Sequence, residues 1–488
     1  MRTKNSWGSV VVLSIVLGII AFGIPGCSAV PAPVPPAAQI PEVAPATVPE
    51  EAPEPESPGV DGVLARILAA LGRSDYDTAI ALFDEIDPEE AETAEIRLLK
   101  ASVLISAGRQ REARTMVNGI ITLEPNNTDA LFILAAIEGL EGKAREQRQL
   151  FERILGIDDT HVGALIGMGD ISRVNRSLRT AAGYYDRALT VDPDNGDALL
   201  GRADIHRRNG QLEAATDLLN RAVDLYPQWA NPLAERARLY RGERALTKAL
   251  ADLDAAKQLA PTDYWISCDR GNVLIDMGRK RDALEEFQRA ISIGPDNFLA
   301  YVYSAGIKDE LGDFDGAERD YSTLSQLKPD YYYAFEGLGI HKMRKGEWAA
   351  ARDAFLEAYK QAPQEHTYAL LAAVNWMRAE RQTAPKQFLE TALRRANRES
   401  LDYYMLRLFH DMTGDNDVAI RVERERNPDI KAKMEFYLAQ FYDIRGNRSL
   451  ADRYFLMVRE LGRKGIPEWR LNEWVINERN LAPPAGAR

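Results

Sequence analysis

The chain has 488 residues, 45% of them hydrophobic, which is too apolar for general disorder and too long for one ordinary core. With 73 acidic against 61 basic residues its formal net charge is −12, so it lacks the basic field that phosphate backbones require, and no nucleic-acid partner is expected.

The first element in chain order is the leader MRTKNSWGSVVVLSIVLGIIAFGIPGCSAV. Arg2 and Lys4 precede an apolar run from Val10 to Phe22, short for a membrane span and suited to the core of a signal peptide. Ile24-Pro25-Gly26-Cys27 resembles a bacterial lipobox, with Pro25 departing from the usual small residue. That resemblance implies removal of residues 1–26 and lipidation of Cys27, and Ser28 in place of an aspartate favours the outer membrane, at its periplasmic face or surface. Two alternatives stay open: an uncleaved anchor, or cleavage after Ala29 to release a soluble product. Cys268 is the only other cysteine, so a lipidated Cys27 leaves no intramolecular disulfide.

Residues 28–59 form the next segment, with ten prolines between Val30 and Pro58 among many alanines and glutamates. Such a composition does not pack and favours extended polyproline conformations. At about 3.1 Å per residue it spans up to roughly 90 Å, a spacer between membrane and folded region.

From residue 60 onward a period of 34 organises the chain. Pro125, Pro193, Pro227, Pro261, Pro295, Pro329 and Pro363 follow one another at that interval, with one beat skipped at Asp159. Twelve residues before each proline stands an alanine: Ala113, Ala181, Ala215, Ala249, Ala283, Ala317 and Ala351. Twenty-four before stand Ala101, Gly169, Ala203, Ala237, Gly271, Ala305 and Gly339. Eight before stand Val117, Tyr185, Leu219, Leu253, Phe287, Tyr321 and Phe355. Two small positions on different helices let backbones approach, and the large residue fills the adjoining space. A glycine at 108, 210, 278, 312 and 346 suits a helix end that needs a left-handed residue, so each unit reads as helix, turn, helix.

The pattern resembles the tetratricopeptide repeat family, most closely in MGRKRDALEEFQRAISIGPDN, which matches the family's second helix. The resemblance implies an all-α fold, an α-solenoid of helix-turn-helix repeats in a right-handed superhelix. About twelve units are expected over 60–465, clearest over 94–365, with a capping helix and tail over 466–488. Asp75 to Phe83 supports a first unit. Pro385 stands where alanine is expected, so the lattice weakens there before Glu435 to Phe455. The FYLAQFY start of that last unit is similar to the closing repeat of NlpI-like bacterial adaptor lipoproteins, which implies a role in recruiting cell-wall enzymes or proteases.

No catalytic, cofactor or metal motif accompanies the repeats. There is no HExxH, paired cysteine motif, GxxxxGK[ST] or GxSxG, so neither an enzyme nor a cofactor is expected. Cys268 is in register with Ile166, Leu200, Ala234 and Val302, which makes it a small wall filler rather than a reactive thiol.

Residues 30, 27, 23 and 20 before each proline share one face of the first helix. In tetratricopeptide arrays this face lines the concave groove, so the resemblance implies that partner segments bind there. Arg173, Arg207 and Arg241 recur at one position, with Arg208 and Arg238 beside them. Five positive groups face Asp170 and Asp204, a local surplus of three. Pairing along one helix is the bland reading, and it accounts least for Arg238 and Arg241. Trp265, Leu299 and Tyr333 continue the groove as an aromatic section. Asn272 alone fits the family's carboxylate clamp, whose lysines are absent, so that function is not transferred. The expected protein is a non-catalytic, lipid-anchored adaptor of the bacterial cell envelope, binding peptide-like segments of other envelope proteins and contacting membrane through Cys27. A structural subunit of an outer-membrane assembly or secretion complex, or a surface protein facing a host, are the alternatives. The oligomeric state is left open.

Overall fold

The computed structural model describes residues 60–73, 75–380 and 384–481; the leader, Cys27 and the proline-rich segment lie outside them. Among the described residues there are 26 α-helices, one short 3-10 segment and no strand. None of these helices is long and apolar enough to cross a membrane.

Twelve pairs of antiparallel helices and a terminal helix, Pro467–Arg479, account for almost all of this. The signals that set each pair are local. Second helices such as Leu178–Val191, Leu212–Leu225 and Leu246–Leu259 stop two residues before the lattice proline. Two residues after it, a polar side chain caps the next first helix: Asn127 accepts from the Ala130 N–H at 2.9 Å, Asn195 from Ala198 at 3.1 Å, and Asp263 from Ile266 at 3.0 Å. Where the lattice skips its proline, His161 takes over the cap, its Nδ1 accepting from the Ala164 N–H at 3.1 Å. Where the turn within a pair carries a glycine, it is left-handed, with φ of 75° at Gly210 and 82° at Gly312. At the same place in two other pairs stand Arg176 and Arg244, at φ 59° and 62°.

Packing within a pair follows from the small and large positions. A Cβ added at Gly271 would lie 2.7 Å from the Phe287 ring, and one at Gly339 2.6 Å from the Phe355 ring. The second helix thus presses its aromatic residue onto bare backbone of the first. Ala181, Ala215, Ala249 and Ala283, the small residues of the second helices, are fully buried.

Departures from the lattice have local causes. In the first pair, Tyr76–Leu82 is capped by Asp75 but ends early, because Pro88 holds Asp87 extended at ψ 133°. Pro385 caps the shortened helix Lys386–Arg395, which starts after it because a proline inside the helix would leave a carbonyl unpaired.

The helices form two compact units, one ending at Ile293 and one beginning at Gly294. In the first unit, successive first helices pack on one another more closely than successive second helices do, so the first helices form its inner wall. In the second unit, the first helices His366–Ala379, Leu401–Asp411 and Pro428–Ile444 all touch each other. The terminal helix closes this unit, burying Leu471 and Ile476, while the Asn472 Nδ2 donates to the Phe455 carbonyl at 2.9 Å.

Candidate protein-binding surface

Seven of the nine groove residues expected from sequence stand in the first unit: Arg173, Arg207, Arg208, Arg238, Arg241, Trp265 and Asn272. Leu299 and Tyr333 stand in the second.

In the first unit, every one of the five arginines meets a carboxylate. Arg173 donates to Asp170 at 3.2 Å and lies 3.8 Å from Asp204 on the next first helix. Asp204 also receives Arg207 and, at 2.7 Å, Arg208 Nε. Burial opposes ionisation of Asp204, but the hydrogen bond from Arg208 and the charges of Arg207 and Arg208 outweigh it and hold the carboxyl below its usual range. Arg238 pairs with Glu235 on its own helix and with Asp269 on the next at 2.7 Å, and Arg241 with Asp276 at 2.6 Å. The expectation that same-helix pairing fails Arg238 is therefore corrected: Glu235 lies three residues before it. The surplus of three is corrected too. Glu235, Asp269 and Asp276 lie off the repeating columns, and with Asp170 and Asp204 they make five carboxylates against five arginines.

Two polar groups on this wall stay unsatisfied. Asn272 is 8% exposed with no partner for Oδ1, and Arg207 Nε is buried without an acceptor. Asp197, on the first helix Gly196–Arg208, has its carboxyl pushed up to about 7 by burial and by the nearby charge of Asp170. Sequence reasoning missed Asp197, although its place 30 residues before Pro227 is the column that also holds Trp265. The Trp265 ring packs edge-on against Tyr264, centroids 5.1 Å apart. Cys268 is buried beneath the wall and its thiol is pushed up to about 12 by that burial, which keeps it protonated and inert. His206 spends its Nδ1 on Gln211 Oε1 at 2.8 Å.

The second unit differs because its own terminal helix reaches the first helices. Arg470 Nη1 donates to Asp309 at 2.8 Å; Tyr321 Oη donates to the same oxygen at 3.0 Å, and His341 Nε2 lies 2.7 Å from the other. Trp474 packs edge-on against Phe314 at 5.4 Å, and the Arg344 guanidinium lies over both rings at 4.8 and 5.7 Å. No periodic signal in the sequence joins residues 309 and 470.

Residues 167–228 and 308–366 match the model of a tetratricopeptide repeat family. These two stretches carry tetratricopeptide repeats. The matched residues do not include the last repeat, Pro428–Leu461. Among curated proteins, the DnaJ homolog subfamily C member 3 of Rattus norvegicus is 31% identical over 96 residues, which cover 20% of this chain and 19% of that protein. The Homo sapiens protein of that name matches to the same extent, so the likeness spans about a fifth of each relative. Among solved structures, the APC/C hetero-tetramer Cut9–Hcn1 is similar at a TM-score of 0.48 and 16% identity, over 64% of this chain and 62% of that one. The human IFIT1 dimer with m7Gppp-AAAA is similar at 0.45 and 16%, over 81% and 88%. Both TM-scores lie below 0.5, and neither likeness bears on what this chain binds.

Proposed function

We propose that this protein is a non-catalytic adaptor whose first unit binds an extended segment of a partner protein along its inner wall. Stacked repeats present an extended concave surface of this kind, and tetratricopeptide repeat folds bind peptide segments of partners. The observation that carries the reading is the pair of unsatisfied buried groups on that wall, the Asn272 Oδ1 acceptor and the Arg207 Nε donor. A buried polar atom without a partner costs about 1–3 kcal/mol, and an extended main chain supplies both kinds of partner. The arginines, being balanced by carboxylates, hold the wall in shape rather than attract an acidic ligand.

The finer reading is that the adaptor works in a bacterial envelope, anchored through lipidated Cys27 and held off the membrane by residues 28–59. It is supported by the charged start, apolar core and Gly-Cys ending of the leader. Partners recovered by crosslinking in cells should fall several-fold for Asn272→Ala at unchanged helix content. Unchanged recovery would remove the wall from the account. Membrane fractionation and acyl labelling of Cys27→Ser test the anchor separately: release and loss of label are expected, and retention with label would refute it.

A further inference from the structure

A second site lies entirely in the second unit. The first helices Phe298–Leu311 and Tyr332–Arg344 and the terminal helix Pro467–Arg479 border a pocket of about 210 Å³. That is below the roughly 300–1,000 Å³ of sites for drug-sized ligands, and suits a single side chain. Tyr321, Tyr331, Tyr333, Glu336, Val302 and Arg470 line it.

The charges around it do not cancel. Arg470 is engaged by Asp309, so those two charges compensate each other. Glu336 receives one hydrogen bond, from the Tyr368 hydroxyl to Oε2 at 2.5 Å, and no positive side chain bonds it. Burial holds its carboxyl above the usual range even though the Tyr368 hydrogen bond and the charge of Arg470 pull the other way. The walls are aromatic: the Tyr331 and Tyr333 rings have centroids 5.5 Å apart, and the Tyr332 ring packs against Tyr333 at 4.1 Å, tilted by 31°. Tyr333 is 49% exposed, so one ring of the set faces solvent. Tyrosine faces beside a carboxylate attract a cation through the ring quadrupole and the negative charge together. An apolar side chain would leave Glu336 desolvated and unpaired, and an anion would oppose it.

We propose that this pocket receives a lysine or arginine side chain from a partner segment, the cationic head on Glu336 and the stem along Tyr331 and Tyr333. The site rests on the reading of the chain as a binder of protein segments but uses none of the first unit's residues. The test uses the full chain, titrated with the Nα-acetyl methylamides of arginine, lysine, norleucine and glutamate and followed by ligand-observed NMR. Saturable binding of the arginine and lysine probes is expected, weakened at least tenfold by Glu336→Gln and several-fold by Tyr333→Ala. The Gln side chain still accepts from Tyr368, so thermal melting should barely change. No saturable binding of either cationic probe, equal binding of norleucine, or cation binding indifferent to Glu336→Gln would overturn the proposal. Tighter binding of glutamate would overturn it as well, by making Arg470 the recognition group. Asn272→Ala should leave this titration untouched, so failure here and failure of the first-unit wall are told apart.

Discussion

Glu435 stands in the helix Pro428–Ile444 at 1% exposure, with no partner for Oε2. Burial pushes its carboxyl up to about 7, despite the pull of Lys431, and Glu460 adds to the rise. In the unfolded chain a glutamate titrates near about 4.3, so between roughly pH 4 and 7 the folded state keeps a proton that the unfolded state has lost. Stability therefore falls as pH rises through that window. Glu435→Gln keeps the shape and removes the titration: unfolding free energies from urea titration should be nearly unchanged near pH 4 and should exceed the wild type at pH 8 by about 1–3 kcal/mol. At the same scale, Arg176 and Arg244 occupy left-handed positions where the other turns have glycine. The strain there is about 1–2 kcal/mol, partly offset by the freedom glycine gains in the unfolded chain. Arg244 reaches Asp276 only at 3.9 Å and is largely exposed, so that contact adds little. Arg176→Gly and Arg244→Gly should each raise stability by about 0.5–1 kcal/mol in thermal melts.

At the scale of the element, the repeat was legible because its signals are steric and local. Helix stops, caps, turn glycines and the small-on-large contact each need only a few residues within one pair. The contact predicts a contrast between two glycines. Gly271→Ala should lower stability by about 1–3 kcal/mol, because the new Cβ lies 2.7 Å from the fully buried Phe287 ring. Gly306→Ala, on the first helix Phe298–Leu311 with nothing within 4 Å of its Cβ, should raise it by about 0.8–1 kcal/mol. Equal effects in calorimetric scans would sink the packing explanation of the 34-residue lattice. What the pattern did not show is where the lattice stops early, as at Leu82, since that end was decided by Pro88 six residues downstream.

Across the whole molecule, the candidate surface was only half legible. The columns pick out Arg173, Arg207, Arg238 and Arg241, each of which pairs with a carboxylate on its own or the next first helix. Their partners Glu235, Asp269 and Asp276 sit 26 or 19 residues before a proline, outside the four columns; Glu235 is one helical turn from Arg238 and readable from spacing, whereas only packing of the next first helix brings Asp269 and Asp276 to the arginines. The likeness of Trp265, Leu299 and Tyr333 in sequence likewise hid that the first belongs to one unit and the others to another. A long-range contact such as Arg470 with Asp309 has no sequence period to betray it. The central claim, that the first unit's inner wall holds a partner segment, is tested most directly by photo-crosslinking in cells. A photoreactive residue would be placed on that wall at Trp265 or at Asn231, which stands 30 residues before Pro261 in the column of Trp265, and at Leu123 or Leu225, exposed at the ends of second helices. The account predicts one common partner adduct from Asn231 and Trp265 that is absent from Leu123 and Leu225. Adducts from Leu123 or Leu225 alone, or none from the inner wall, would contradict it.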